Sequence, residues 1–198
     1  MTTKETSREQ QLPPVPEDVR EAARSAPDHW IGVVDPGWRG EGTPPPWAVI
    51  GEWRSGESGE VEEWQPNEDY RPSPAALGWP EPADPVDAAV QLAVTGYAPE
   101  AQAIAALGTA EITVLRAPDG GPLLVCGPNG MPTVPVFSSA AHQAFAGSLT
   151  HDTVPAAELA HRLAPSGTPM TLNPAGPASL VVGPDTVLAA LEPAPPGG

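Results

Sequence analysis

Four histidines and one cysteine are the side chains in this sequence most able to do chemistry alone, and neither set assembles a site along the chain. His29, His142, His151 and His161 are scattered. Glu158 and His161 stand three residues apart on a stretch with helical character, the spacing used by carboxylate-bridged di-iron helices. That chemistry needs a second such pair and further carboxylates, which the sequence does not supply, so a surface carboxylate beside a polar histidine is the preferred reading. Cys126 follows an apolar run and precedes Gly127-Pro128. A nucleophilic thiol needs a base or a cation to hold it as thiolate, and no basic residue lies close in sequence, so Cys126 is expected to be a small buried apolar side chain. A Cys126 nucleophile served by a distant histidine is the enzymatic alternative. With one cysteine there is no intrachain disulfide and no cysteine cluster for zinc. Gly120-Gly121 and Gly127-x-x-Gly130 fit hairpin turns better than phosphate loops, and no Gly-x-Ser-x-Gly elbow occurs. The expectation is a non-enzymatic protein with no catalytic, cofactor-binding or metal residues and no cofactor.

Recognition is better represented than catalysis. All six tryptophans fall within residues 28–80. Trp30, Trp47 and Trp53 sit in apolar runs and read as the core of a small sheet, since each ring buries a large area. Trp38, Trp64 and Trp79 lie in or beside loops. Tryptophan is enriched at interface anchors, and Tyr70 and Arg71 stand beside the extended Pro72-Ser73-Pro74, so Trp38, Trp64, Tyr70 and Arg71 are the candidate partner-binding residues.

The elements that must carry these residues follow from the punctuation of the chain. Residues 1–15 are polar and read as a disordered arm. Residues 16–75 form a small Trp-rich β domain: a short helix after Pro16, stopped by Pro27, then strands over 30–35, 47–53 and 61–65. Residues 76–84 read as a Pro-rich linker. Structure resumes with Asp84 as a helix N-cap, Pro85 at the first helical position, and Gly96 as the stop. A second helix, over 99–107, feeds three runs, 112–115, 123–126 and 133–137, separated by Asp119-Gly120-Gly121 and Pro128-Asn129-Gly130. These read as a β-meander. Ser138 or Ser139 opens a helix to Phe145, Thr153 with Pro155 opens another to Leu163, and strands over 170–172 and 179–182 flank the turn Asn173-Pro174-Ala175-Gly176. A final helix follows Gly183-Pro184, and 193–198 is a frayed tail. The fold class is α+β, with about five strands in a mixed or antiparallel sheet covered by short helices over 85–192. It lacks the repeated βαβ order of a doubly wound nucleotide-binding sheet.

Composition excludes partners. The chain has 25 acidic against nine basic residues, a net charge of −16, which opposes nucleic-acid and anionic-membrane binding. No apolar run approaches a membrane span, and the first residues lack a signal-peptide h-region, so a cytoplasmic protein is expected. With 29 prolines and 20 glycines, long uninterrupted helices are not.

One set of residues carries a resemblance. Asp28-His29-Trp30, Asp35-Pro36 with Trp38, Pro46-Trp47-Ala48-Val49-Ile50-Gly51 with Trp53, and Trp64 with Asn67, Tyr70, Arg71, Pro72, Ser73 and Pro74 resemble the type VII secretion system-associated proteins of actinobacteria, a source with which the Ala-, Pro- and Gly-rich composition agrees. From Pro85 on, Pro135-Val136-Phe137-Ser138 and Leu172-Asn173-Pro174 resemble an SseB-like domain, without the second domain in which SseB proteins often continue. The resemblance implies an accessory protein that binds a type VII secretion component or cargo. An immunity-type inhibitor of a basic toxin is the alternative.

Overall fold

The computed structural model describes residues 13–127, 130–147 and 149–192. The expected arm up to residue 12, Pro128-Asn129 of the second turn and the tail 193–198 lie outside them. The chain is α+β, and it divides into two compact units, the first ending at Pro72 and the second beginning at Ser73.

In the first unit, helix α1 (Glu17–Ser25) is followed by strands β1 (Trp30–Val34), β2 (Val49–Ser55) and β3 (Val61–Pro66), an antiparallel sheet in the order β1-β2-β3. Pro16 sets the helix start, and Glu17 and Asp18 face its positive end. The helix buries Val19 and Ala23, its contacts falling on β1 and β2. Gly59 in the β2–β3 hairpin has φ 77° and a Cβ there would stand 3.2 Å from Arg24 Cα, so the hairpin closes on α1 only with glycine. Ser55, fully buried, donates to Ala26 O at 2.6 Å and accepts from His29 N at 3.0 Å, tying the helix exit to the sheet. Trp47 falls in a 3-10 turn (Pro46–Ala48) rather than in the strand expected over 47–53, because Pro45 and Pro46 preset that turn.

In the second unit, helices α2 (Pro85–Thr95) and α3 (Glu100–Gly108) precede β4 (Glu111–Leu115), β5 (Val125–Cys126) and β6 (Pro132–Phe137). Then come α4 (Ala140–Gln143), β7 (His151–Pro155), α5 (Ala156–Leu163), β8 (Met170–Leu172), β9 (Leu180–Val182) and α6 (Pro184–Ala189). The strand order is β7-β4-β6-β8-β9, with β5 attached to β6. Among the described residues only β6 and β8 of this sheet run parallel. Alternating residues of the sheet, among them Ile112, Val114, Val134, Val136, Met170 and Leu172, form one buried cluster with Val90, Ala103, Leu107, Leu159 and Val187 of the helices. Such burial stabilises by roughly 25 cal/mol per Å² of apolar surface removed from water.

Three readings are corrected here. The meander is not one: β4 pairs with β6 and β7, while β5 is a two-residue strand on β6. Pro135 has no N–H to extend the β4 ladder beyond Val136, and the free carbonyl of Leu115 instead accepts from Leu123 N at 2.8 Å. The helix expected to open at Thr153 with Pro155 and run to Leu163 is α5, but it begins at Ala156, and His151–Pro155 before it are the edge strand β7, whose alternating half-burial is masked in sequence by polar residues. Residues 76–84 are no free linker. Trp79 N donates to Pro74 O at 3.0 Å, and Trp79 packs against the second unit's core. A large indole docked on the core holds that segment in place.

Candidate functional site

Two places concentrate recognition chemistry, one in each unit. In the first unit the strand registers put Trp30 beside Arg54 and Glu63, and Gly32 beside Glu52 and Gln65, on one face of the sheet. Ile31, Trp53 and Trp64 share the other face. Trp53 is 2% exposed, whereas Trp30 is 45% exposed. Trp30 is therefore a surface ring and not the core residue expected from its apolar run: at the first position of an edge strand it alternates away from the face that buries Trp53. Beside it lies a groove of about 970 Å³ whose lining includes Gly32, Val34, Pro44, Pro46 and Val49, with the carboxylates Glu52 and Glu68 and no Lys or Arg. Gly32 leaves the groove floor open, since a Cβ there would meet nothing nearer than Val49 Cγ1 at 3.9 Å.

The four residues singled out in the sequence are distributed around this sheet. Trp64 is half-buried on the face opposite Trp30, against Trp53. Trp38 is half-buried, with its ring folded over Gly40. The Tyr70 hydroxyl donates to Asp35 Oδ2 at 2.6 Å, and Asp35 is itself buried. Arg71 is exposed, and its amide is held by Trp47 O at 2.9 Å. Asn67, next to them, donates to Pro46 O and Val49 O and lines the groove. The segment carrying Tyr70 and Arg71 thus braces one wall of the groove. The uncovered tryptophan is Trp30.

In the second unit, the segments following the two parallel strands meet. Ser138 N donates to Asn173 Oδ1 at 3.0 Å, Asn173 Nδ2 donates to Ser138 Oγ at 2.9 Å, and Ser138 Oγ donates to Asp84 Oδ2 at 2.7 Å. Asp84 Oδ1 accepts from Val86 N and Asp87 N, which caps α2 as its sequence predicts. Asn173, at φ 49°, turns the chain after β8. Behind this network lies a cavity of about 390 Å³ lined by Pro80, Glu81, Ala83, Asp87, Ala141, His142, Ala144, Ala175, Gly176 and Pro177. His142 Nε2 is 3.1 Å from Asp87 Oδ2, with the two side chains 10% and 3% exposed. The approach is off the N–H line: His142 Nε2, Asp87 Oδ1 and Ser139 Oγ are buried without a hydrogen-bond partner. Along the sequence His142 joins no site. No local spacing signals a pair that tertiary packing alone brings together.

Cys126 is exposed, contrary to its expected burial, because the two-residue β5 lies outside the main strand order. Its Sγ has Gly127 O at 3.8 Å. Glu158 pairs with Arg162 at 2.9 Å and so takes the surface role. Among the described residues no group of three or more His, Cys, Asp or Glu is placed to hold a metal ion, and no helix is long and apolar enough to cross a membrane. The Arg116 guanidinium, bonded to the Asp152 carboxylate, lowers that carboxyl below its usual range and is itself raised. No protein-family model, curated protein or solved structure matches the chain.

Proposed function

We propose that this chain is a non-enzymatic accessory protein of type VII secretion that works in the cytoplasm and binds a secretion component or cargo through its Trp-rich unit. One observation carries the reading: the sheet face bearing Trp30 and Gly32 is left uncovered beside a groove with carboxylates and no cation. An uncovered indole supplies the anchor that interfaces favour, and the groove's apolar walls suit an extended segment. The charge of the lining chooses the occupant, a partner segment that carries Lys or Arg, and the net charge of −16 speeds its encounter. The resemblance of the tryptophan-containing motifs supplies the link to secretion.

A photo-crosslinking amino acid at exposed Thr43, on the groove wall, tests this in the native host. The expected adduct is a type VII component or cargo joined through a basic segment. An adduct with a protein unconnected to secretion, or none, overturns the proposal.

A further inference from the structure

The groove beside Trp30 borders an open sheet edge, and that edge dictates how a segment lies there. We propose that the occupant adds a strand antiparallel to β1, with a Lys or Arg opposite Gly32 and apolar residues opposite Trp30 and Val34. This rests on the groove as the binding place and adds the backbone geometry and side-chain pattern of the partner segment.

Three observations carry it. First, β1 is an edge strand, paired with β2 alone. His29 O accepts from Ser55 N and Asp35 N donates to Ala48 O, so the odd-numbered residues address β2. By the alternation of an antiparallel ladder, the N–H and C=O groups of Trp30, Gly32 and Val34 point away from it, and among the described residues they have no hydrogen-bond partner. Gly32 is exposed, and a glycine has only backbone to expose, so the centre of this edge is open to solvent. Second, natural edges are commonly blunted by Lys or Pro, and Trp-Ile-Gly-Val-Val carries neither. Trp30 and Val34 instead stand 45% and 38% exposed on the groove face, where apolar residues of an added strand would pack against them. Third, Gly32 has no side chain to separate the open edge from Glu52, its neighbour on β2. Glu52 is exposed and has no ion-pair partner among the described residues, whereas Arg54 is engaged by Asp28 and Glu63 at 3.5 and 3.9 Å. A long cationic side chain opposite Gly32 can lie across the glycine and end at that carboxylate, two strand spacings of ~5 Å away. A second copy of this chain would bring an uncharged β1 and a net charge of −16 to the same edge, so charge selects a basic segment.

The test uses the full chain and a capped heptapeptide with Thr at its odd positions and Val, Arg and Val at its even ones. Amide NMR shifts should saturate with a Kd of about 1 mM or below. At a tenfold excess over Kd, hydrogen exchange at the amides of Trp30, Gly32 and Val34 should slow about tenfold, whereas Ile31 and Val33 exchange slowly before any peptide is added. N-methylation of the peptide's Val and Arg amides, which face β1, should abolish binding, and N-methylation of its two inner Thr amides, which face outward, should preserve it. Glu52→Gln, at an exposed position, should weaken binding at least threefold without lowering the melting temperature. Absence of saturable shifts, equal binding of the two methylated peptides, or equal binding with Glu in place of the peptide's Arg overturns the proposal. Slowed exchange at the three amides that rises with protein concentration in the absence of peptide also overturns it, since the edge then pairs with a second copy. Saturable shifts on the groove face without slowed exchange at those amides remove the added strand and leave the groove as the binding place, so the two readings fail separately.

Discussion

Trp53 and Trp64 face each other across β2 and β3, their ring centroids 4.8 Å apart and their planes tilted by 49°. A tilted aromatic pair at this separation contributes about 0.5–1.5 kcal/mol beyond its buried area. Gly51 makes room for it: a Cβ there would meet the Trp64 ring and stand 2.6 Å from Gln65 O. Trp53→Ala should cost about 3–5 kcal/mol, enough to unfold the small unit, and Gly51→Ala about 1–3 kcal/mol by overpacking. Chemical denaturation followed by tryptophan emission checks both, and wild-type stability in either variant would contradict the packing described.

Trp30 should be the indole that iodide reaches most readily, since it stands 45% exposed while Trp53 is 2% exposed. Trp30→Phe should remove most of the quenchable emission with a stability change within about 0.5 kcal/mol. Quenching unchanged by that substitution would place the accessible ring elsewhere.

Cys126 should react with a thiol reagent in the native protein at a rate near that of a small free thiol, because it is exposed on a two-residue strand. Cys126→Ser should alter stability by less than about 0.5 kcal/mol, as surface substitutions do. A thiol that reacts only after unfolding would contradict its placement.

The Arg116–Asp152 pair gives a small acid-limb contribution of known sign. The Asp152 carboxyl is held below its usual value, first by the hydrogen bond from Arg116. Its contribution is therefore complete above the unfolded carboxyl pKa of about 3.9, and it is lost as pH falls through the lower folded value. Asp152→Asn should flatten the pH dependence of stability below about pH 4 and leave its neutral-pH slope unchanged. The pair is exposed, so salt should weaken the effect.

Where local chemistry decides structure, the residues announced it. Asp84, Pro85 and Gly96 define α2 from cap to left-handed stop, Gly96 having φ 79°. Asn173 to Gly176 turn between β8 and β9 as their types require. What stayed illegible depends on distant partners. β7 is a strand only because β4 pairs with it, and Thr153 with Pro155 reads equally well as a helix start. The docking of Trp79 requires a core built by later residues. At the sites the same limit holds. Tyr70, Arg71 and Asn67 marked the groove's neighbourhood, yet the uncovered ring is Trp30, because exposure depends on which face of the sheet is buried. The Asp87–His142 cavity has no signature along the chain at all.

The measurement that bears most directly on the proposed function is the affinity of the crosslinked partner for Gly32→Val. A valine Cβ at this position meets nothing closer than 3.9 Å, and Gly32 lies within a strand, so its substitution removes the conformational entropy cost of glycine and should leave thermal stability equal or higher. The isopropyl group also fills the groove floor between Val34, Glu52 and Gln65. The expected result is a loss of at least tenfold in affinity in a protein that melts no lower than wild type, with Trp30→Ala losing affinity alongside it. Wild-type affinity in a stable Gly32→Val protein would contradict the groove as the binding face.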